Sequence, residues 1–151
     1  MSSKKKEEAE EILPKKDKVE EKVIKEPVRA YLSKERVLTE SSDLAREFYN
    51  QSRYGELLDD CRVQLSLIEA MYLIEKKRLI VHDSKNKVID SNTFLKKAQK
   101  SEPNFWVRYC VYRDIRNRGY IIKTALKFGA DFRIYDRGVK PGEDHARWVV
   151  F

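Results

Sequence analysis

The sequence predicts a mixed α/β (α+β) protein: a small N-terminal mixed domain, then a second small α/β domain, with a charged tail in front. Three observations carry this expectation. The chain has 151 residues, 41% of them hydrophobic and 38% charged, enough for one sizeable core or two small ones. Stretches with apolar residues three and four apart alternate with short runs of period two, so helices and strands interleave. The segment up to Glu26 also differs in composition from everything after it.

From Met1 to Pro27 there are eight lysines and eight acids, and the large apolar residues after Met1 are Ile12, Leu13, Val19, Val23 and Ile24. So little apolar surface does not offset the entropy of ordering, and residues 1–26 are expected to form a disordered Lys/Glu tail. Short strands follow around Val28–Leu32 and Val37–Leu38. Ser41-Ser42-Asp43 is an N-cap cluster for a helix over 43–52, which Tyr54-Gly55 breaks. Leu57, Cys61, Leu65, Ile68 and Tyr72 form a four-residue stripe, which predicts a helix from Arg62 to Lys77. Its last turn would hold Lys76-Lys77-Arg78, where cations suit the helix dipole.

Leu79-Ile80-Val81 and Val88-Ile89 flank a polar turn and read as a hairpin. A short helix over Ser91–Lys100, opened by Ser91 or Asn92, leads to Pro103, which divides the N-terminal domain (28–100) from the C-terminal one (102–151). There a helix over Phe105–Asn117 ends at Gly119, a left-handed cap position. Phe105, Trp106 and Tyr109 read as its core face. Strands are expected at Tyr120–Ile122, Asp131–Tyr135 and Trp148–Phe151, with a turn at Lys127–Gly129 and a loop over Gly138–Asp144.

Several function classes are disfavoured at once. There is no run of 18 apolar residues for a membrane span and no apolar stretch at the N-terminus for a signal peptide. Cys61 and Cys110 lie 49 residues apart in apolar segments, which suggests reduced core thiols in a reducing, cytoplasmic setting. With His82 and His145 as the two histidines and no Cys-x-x-Cys, a closed zinc site cannot be assembled. Counting alone leaves room for a carboxylate-bound magnesium; no metal or other cofactor is expected.

The net charge is +7, all of it outside the neutral tail; from Arg108 onward ten basic residues face five acids. Arginine dominates that excess, and its planar fork suits phosphate and base edges, so a polyanion is the plausible partner. Arg116, Arg118, Lys123 and Lys127 read either as an RNA path or as a solvated helix end and strand face; Asp114 is spaced to pair with Arg118. On β-strand alternation Tyr135 shares the polar face with Arg133, and His145 follows ten residues later, amid Arg137, Lys140 and Arg147. Taken singly, such a tyrosine and such a histidine are usually inert. Together, a base, an acid and a bed of cations suit cleavage of RNA by its own 2′-hydroxyl. DNA, lacking that hydroxyl, would not react.

Tyr112-Arg113-Asp114-Ile115-Arg116-Asn117-Arg118-Gly119-Tyr120, followed by Lys127-Phe128-Gly129-Ala130-Asp131-Phe132-Arg133-Ile134-Tyr135-Asp136-Arg137-Gly138, closely resembles the signature of the archaeal tRNA-splicing endonuclease (tRNA-intron lyase) family. Tyr54-Gly55-Glu56-Leu57 with Leu65 to Leu73 is similar to that family's N-terminal domain. The resemblance implies a restriction-nuclease-like catalytic domain and metal-independent cutting of a bulge-helix-bulge in precursor tRNA, leaving a 2′,3′-cyclic phosphate and a 5′-hydroxyl. It implies Tyr135 as general base and His145 as general acid; Arg133 and Arg137 are read as RNA-binding from the cationic bed itself, which would bind phosphate. Other endonuclease subunits are implied as partners, and a membrane is not.

The resemblance also implies a lysine after the His-bearing strand. Lys140, the last lysine here, precedes His145 and is not a match. The chain therefore reads as a fragment of a longer subunit, or as one completed by a second polypeptide, with an apolar final strand left uncovered. The alternative is a non-catalytic structural or RNA-binding subunit.

Overall fold

Val28 and Ala30 point into the core while Arg29 and Tyr31 point out, and that alternation builds strand β1 (Val28–Ser33). The computed structural model describes residues 26–124, 131–137 and 146–151. The expected tail thus lies outside the described residues except at Glu26, as do the turn at 127–129 and the loop at 138–144.

β1 pairs antiparallel with β2 (Arg36–Thr39) and parallel with β5 (Leu79–His82). Helix α1 (Asp43–Ser52) covers the expected span; the Ala45 N–H donates to the Ser42 hydroxyl at its start, and left-handed Arg53 closes it. Strands β3 (Glu56–Leu57) and β4 (Val63–Ser66) come next, then α2 (Leu67–Glu75). β6 (Val88–Ile89) completes the expected hairpin with β5. The resulting six-stranded sheet runs β3-β4-β2-β1-β5-β6. Helices α3 (Ser91–Ser101) and α4 (Phe105–Asn117) lead to a second sheet of three antiparallel strands, β7 (Ile121–Thr124), β8 (Phe132–Tyr135) and β9 (Trp148–Val150), with β8 in the middle. The architecture is the mixed α/β one the sequence predicts.

The long helix expected from Arg62 to Lys77 is corrected. Residues 63–66 are a strand paired with β2 and β3, and the helix starts only at Leu67. Ser66 decides this: its hydroxyl accepts from the Glu69 N–H (3.2 Å) while the Glu69 carboxylate accepts from the Ser66 N–H (3.0 Å), a capping box that opens α2. Val63 and Leu65 are buried with period two, whereas Leu57 and Cys61 are exposed, so the four-residue stripe was a coincidence of spacing. Lys76 to Arg78 lie beyond the last turn, and Lys77 is left-handed. Helix α3 is capped by Asp90, ahead of the expected Ser91 or Asn92, through the Thr93 N–H (2.7 Å).

Both cysteines are free. Cys61 is not a core thiol but an exposed turn residue with a left-handed backbone, and Cys110 is half-buried. Phe105 and Tyr109 are core, as expected; Trp106 is not. Buried side chains from both sheets and from all four described helices form one hydrophobic cluster. Trp148, Val149 and Phe151 are exposed at β9.

The turn between α1 and β3 depends on Gly55. Its φ is +65°, its N–H donates to the Glu69 carboxylate (2.6 Å), and a Cβ there would sit 2.3 Å from the Gln64 carbonyl oxygen of β4. Gly55→Ala is expected to lower folding stability by about 2–3 kcal/mol through strain and displacement of β4, read as a lower urea midpoint.

Candidate active site

Phe132 and Ile134 of β8 belong to the core, Phe132 lying 6.2 Å from the Tyr112 ring of α4 between centroids. Alternation then puts Arg133 and Tyr135 on the opposite face, and the Arg133 guanidinium lies 5.9 Å from the Tyr135 ring centroid. Register sets Lys123 of β7 beside Arg133 and Ile121 beside Tyr135. The expected sharing of one face is present, but the expected polar exposure is corrected. Tyr135 ends the middle strand of its sheet, next to buried Ile121, and is only 3% exposed. His145 and Lys127 lie outside the described residues.

Of the basic residues assigned to an RNA path, Arg116 and Lys123 are corrected. Arg116 is 8% exposed: its guanidinium stacks 4.0 Å from the Tyr54 ring centroid, donates to the Tyr112 hydroxyl (3.2 Å) and reaches the Ser52 carbonyl (2.8 Å). Lys123 donates to the Gly55 carbonyl (2.7 Å) and pairs with Glu69 (3.7 Å). Both tie the C-terminal half to the N-terminal half; Arg116 is buried, and the Lys123 side chain is 15% exposed. Burial holds the Lys123 ammonium below the ordinary lysine range, against the pull of Glu69.

Arg118 remains a surface residue, its side chain 67% exposed and paired with Asp114 at 3.2 Å, as the spacing anticipated. The Arg137 Nε donates to the Arg118 carbonyl (2.9 Å), and its guanidinium lies over the Tyr120 ring (5.0 Å). The Arg133 Nε donates to the Thr124 carbonyl (3.2 Å). Asp136, adjacent to Tyr135, pairs with Arg147 across the strands at 2.7 Å and raises the guanidinium's affinity for its proton.

A cleft of about 740 Å³ opens between the two halves, lined by Arg36, Arg53, Arg108, Lys123 and Arg133 together with Glu35 and Glu102. Burial raises the Glu102 carboxyl above its usual range, Arg108 opposes, and Glu35 adds to the rise. Among the described residues, no group of three His, Cys, Asp or Glu side chains is gathered to hold a metal ion, and no helix is long and apolar enough to cross a membrane.

Sequence reasoning missed Glu69, Tyr54 and Asp136. Only Glu69 had a readable signal, the Ser-x-x-Glu spacing from Ser66.

Comparison with known proteins gives two family matches. Residues 28–95 match the tRNA intron endonuclease N-terminal domain, and residues 105–151 match the tRNA intron endonuclease catalytic C-terminal domain. The chain is similar to a protein of Methanothermobacter thermautotrophicus named tRNA-splicing endonuclease, with 41% identity over 82% of this chain and 70% of the relative. It is similar to proteins of the same name from Pyrococcus horikoshii (38% identity) and Thermococcus onnurineus (37%), each over 85% of this chain and 72% of the relative.

Arg116→Ala and Lys123→Ala are each expected to lower folding stability by about 1–3 kcal/mol, because buried partners lose their bonds. Neither should change the slope of log affinity for RNA against log salt by as much as the ~0.7 unit of one phosphate contact. A urea titration and a salt series read the two effects, and a drop in slope would return that side chain to the RNA path. With Lys123 held low in the folded state, the unfolded chain binds the extra proton between that lowered value and the ordinary lysine value. Stability should therefore rise with pH across that window, and Lys123→Met should remove the rise.

Proposed function

The chain belongs to the tRNA intron endonuclease family, and on that footing we propose that it cuts precursor tRNA at intron boundaries, within a bulge-helix-bulge, by metal-independent attack of a 2′-hydroxyl. Its class is endoribonuclease. Tyr135 acts as the general base. Its phenolate takes the proton from the 2′-hydroxyl next to the scissile phosphate, and the freed oxygen attacks phosphorus. The bond to the 5′-oxygen breaks, His145 delivers a proton to that oxygen, and the products are a 2′,3′-cyclic phosphate and a 5′-hydroxyl.

The observation that carries this reading is the Tyr135–Arg133 face. A guanidinium beside the ring can steady charge on the phosphate oxygens of an RNA strand held there. The domains divide near Pro103, and further endonuclease subunits, of this chain or another, complete the site. Arg118, Arg133 and Arg137 contact RNA backbone. Because Tyr135 is 3% exposed, the mechanism requires RNA binding to uncover its hydroxyl.

A second reading, a non-catalytic structural or RNA-binding subunit, is favoured by that same burial of Tyr135. The two are separated by variants of the full chain in its assembled form. Tyr135→Phe and His145→Ala should each abolish cleavage of an intron-bearing precursor while RNA affinity stays within about threefold, a change well below the ~1.4 kcal/mol of a tenfold loss. Normal cutting by either variant would remove the assigned chemistry. A substrate carrying 2′-deoxyribose at the cut should bind and remain whole, and a chelator should leave the rate unchanged.

A further inference from the structure

Four contacts and one peptide bond close a circuit around the end of β8. Asp136 Oδ2 meets Arg147 Nη1 at 2.7 Å, and the Arg147 guanidinium lies 5.0 Å from the Trp148 ring centroid. The Trp148 ring meets Tyr120 edge-on, with centroids 5.6 Å apart at 86°. Arg137 stacks over Tyr120 at 5.0 Å, and the peptide bond from Arg137 back to Asp136 closes the loop. Two hydrogen bonds fasten the circuit to the frame: the Arg147 N–H donates to the Ile134 carbonyl (2.9 Å), and the Arg137 Nε donates to the Arg118 carbonyl just past α4 (2.9 Å). A Cβ at Gly119 would crowd the Arg137 Nε at 3.1 Å, so the glycine leaves room for that arginine.

An isolated exposed ion pair contributes little, because two long side chains must be ordered to form it. Here each charged group is already held by a second contact. Arg147 rests on Trp148, Arg137 rests on Tyr120, and Asp136 is fixed by the strand that ends beside it. Aromatic faces attract guanidinium groups, and an edge-on aromatic pair adds direction. The circuit therefore resists sliding of β9 along β8.

We propose that Asp136 and Arg147 are positioning residues for cleavage: their pair, backed by Trp148, Tyr120 and Arg137, fixes the spacing of the two segments that deliver the proton-transfer groups. The proposal rests on the reading of Tyr135 as base and His145 as acid. Tyr135 immediately precedes Asp136, and His145 comes two residues before Arg147 in the sequence. A base and an acid acting on one phosphate tolerate little relative displacement, and an error of about 1 Å can cost about 100-fold in rate.

The test uses the full chain in its assembled form, an intron-bearing precursor tRNA, and three variants: Asp136→Asn, Arg147→Met, and the exchanged pair Asp136→Arg with Arg147→Asp. Each single variant should slow single-turnover cleavage by about 10- to 100-fold, with half-saturation by RNA within about threefold of normal. The exchanged pair should regain about tenfold over the slower single variant, because the contact is restored with its ends reversed. Amide hydrogen exchange at position 147 should quicken about tenfold in the single variants and slow again in the exchanged pair.

Normal rates in the single variants would overturn the proposal. So would unchanged exchange, or a loss confined to RNA affinity that the exchanged pair does not restore, since an arginine gripping phosphate at 147 is not replaced by one at 136. Failure of the underlying reading looks different: Tyr135→Phe or His145→Ala would then cut normally, whatever the exchange rates report.

Discussion

One buried carboxylate holds the two halves of the molecule together. Glu69 accepts from the N–H of Gly55 and from that of Ser66, and its charge is met by Lys123 of the second sheet. In this way it opens α2, fixes the turn after α1 and anchors β7. A charge so far from water is tolerated only when its partners are complete. Three separate segments must therefore arrive together, and the hydrogen bond from Tyr72 to Asn117 (2.8 Å) and the Arg116 bond to Ser52 reinforce the same junction. The position of β8, and with it the candidate site, is inherited from this junction through β7.

Much of the fold was legible because its signals are local. Ser42 caps α1 where a Ser-Ser-Asp cluster stands, Gly119 follows α4 with a positive φ, and α4 covers the span its apolar spacing marks. The region from Leu57 to Ser66 was not legible as strands, since a four-residue stripe there competed with period-two burial of Val63 and Leu65 and outweighed it on the page. The capping box at Ser66 is the deciding signal, and its Ser-x-x-Glu spacing is present in the sequence.

The site was legible only in part, and charge explains why. Arg116 and Lys123 have the composition of a phosphate-binding surface, but their partners lie 64 and 68 positions away, at Ser52 and Gly55, where no local pattern points. Other guanidinium groups of the C-terminal half are engaged with rings: Arg113 with Trp106 and Tyr109, Arg108 with Phe132, Arg137 with Tyr120 and Arg147 with Trp148. A formal charge of +7 thus overstates the number of cations open to a nucleic acid. Tyr135 was assigned the right face of its strand and the wrong exposure, because alternation fixes direction while burial depends on what packs above.

The parallel pairing of β1 with β5 bears on how the molecule is made. Val28 pairs across from Leu79, so the central strand waits about fifty residues for one of its two neighbours. At a ribosomal pace of about 5–20 residues per second, one edge of β1 stays open on the nascent chain for roughly 2–8 s after β2 has closed the other. That edge is a template for a neighbouring polypeptide on the same polysome, which makes the interval between the two pairings the stage at which yield is decided, and shielding by a chaperone most useful.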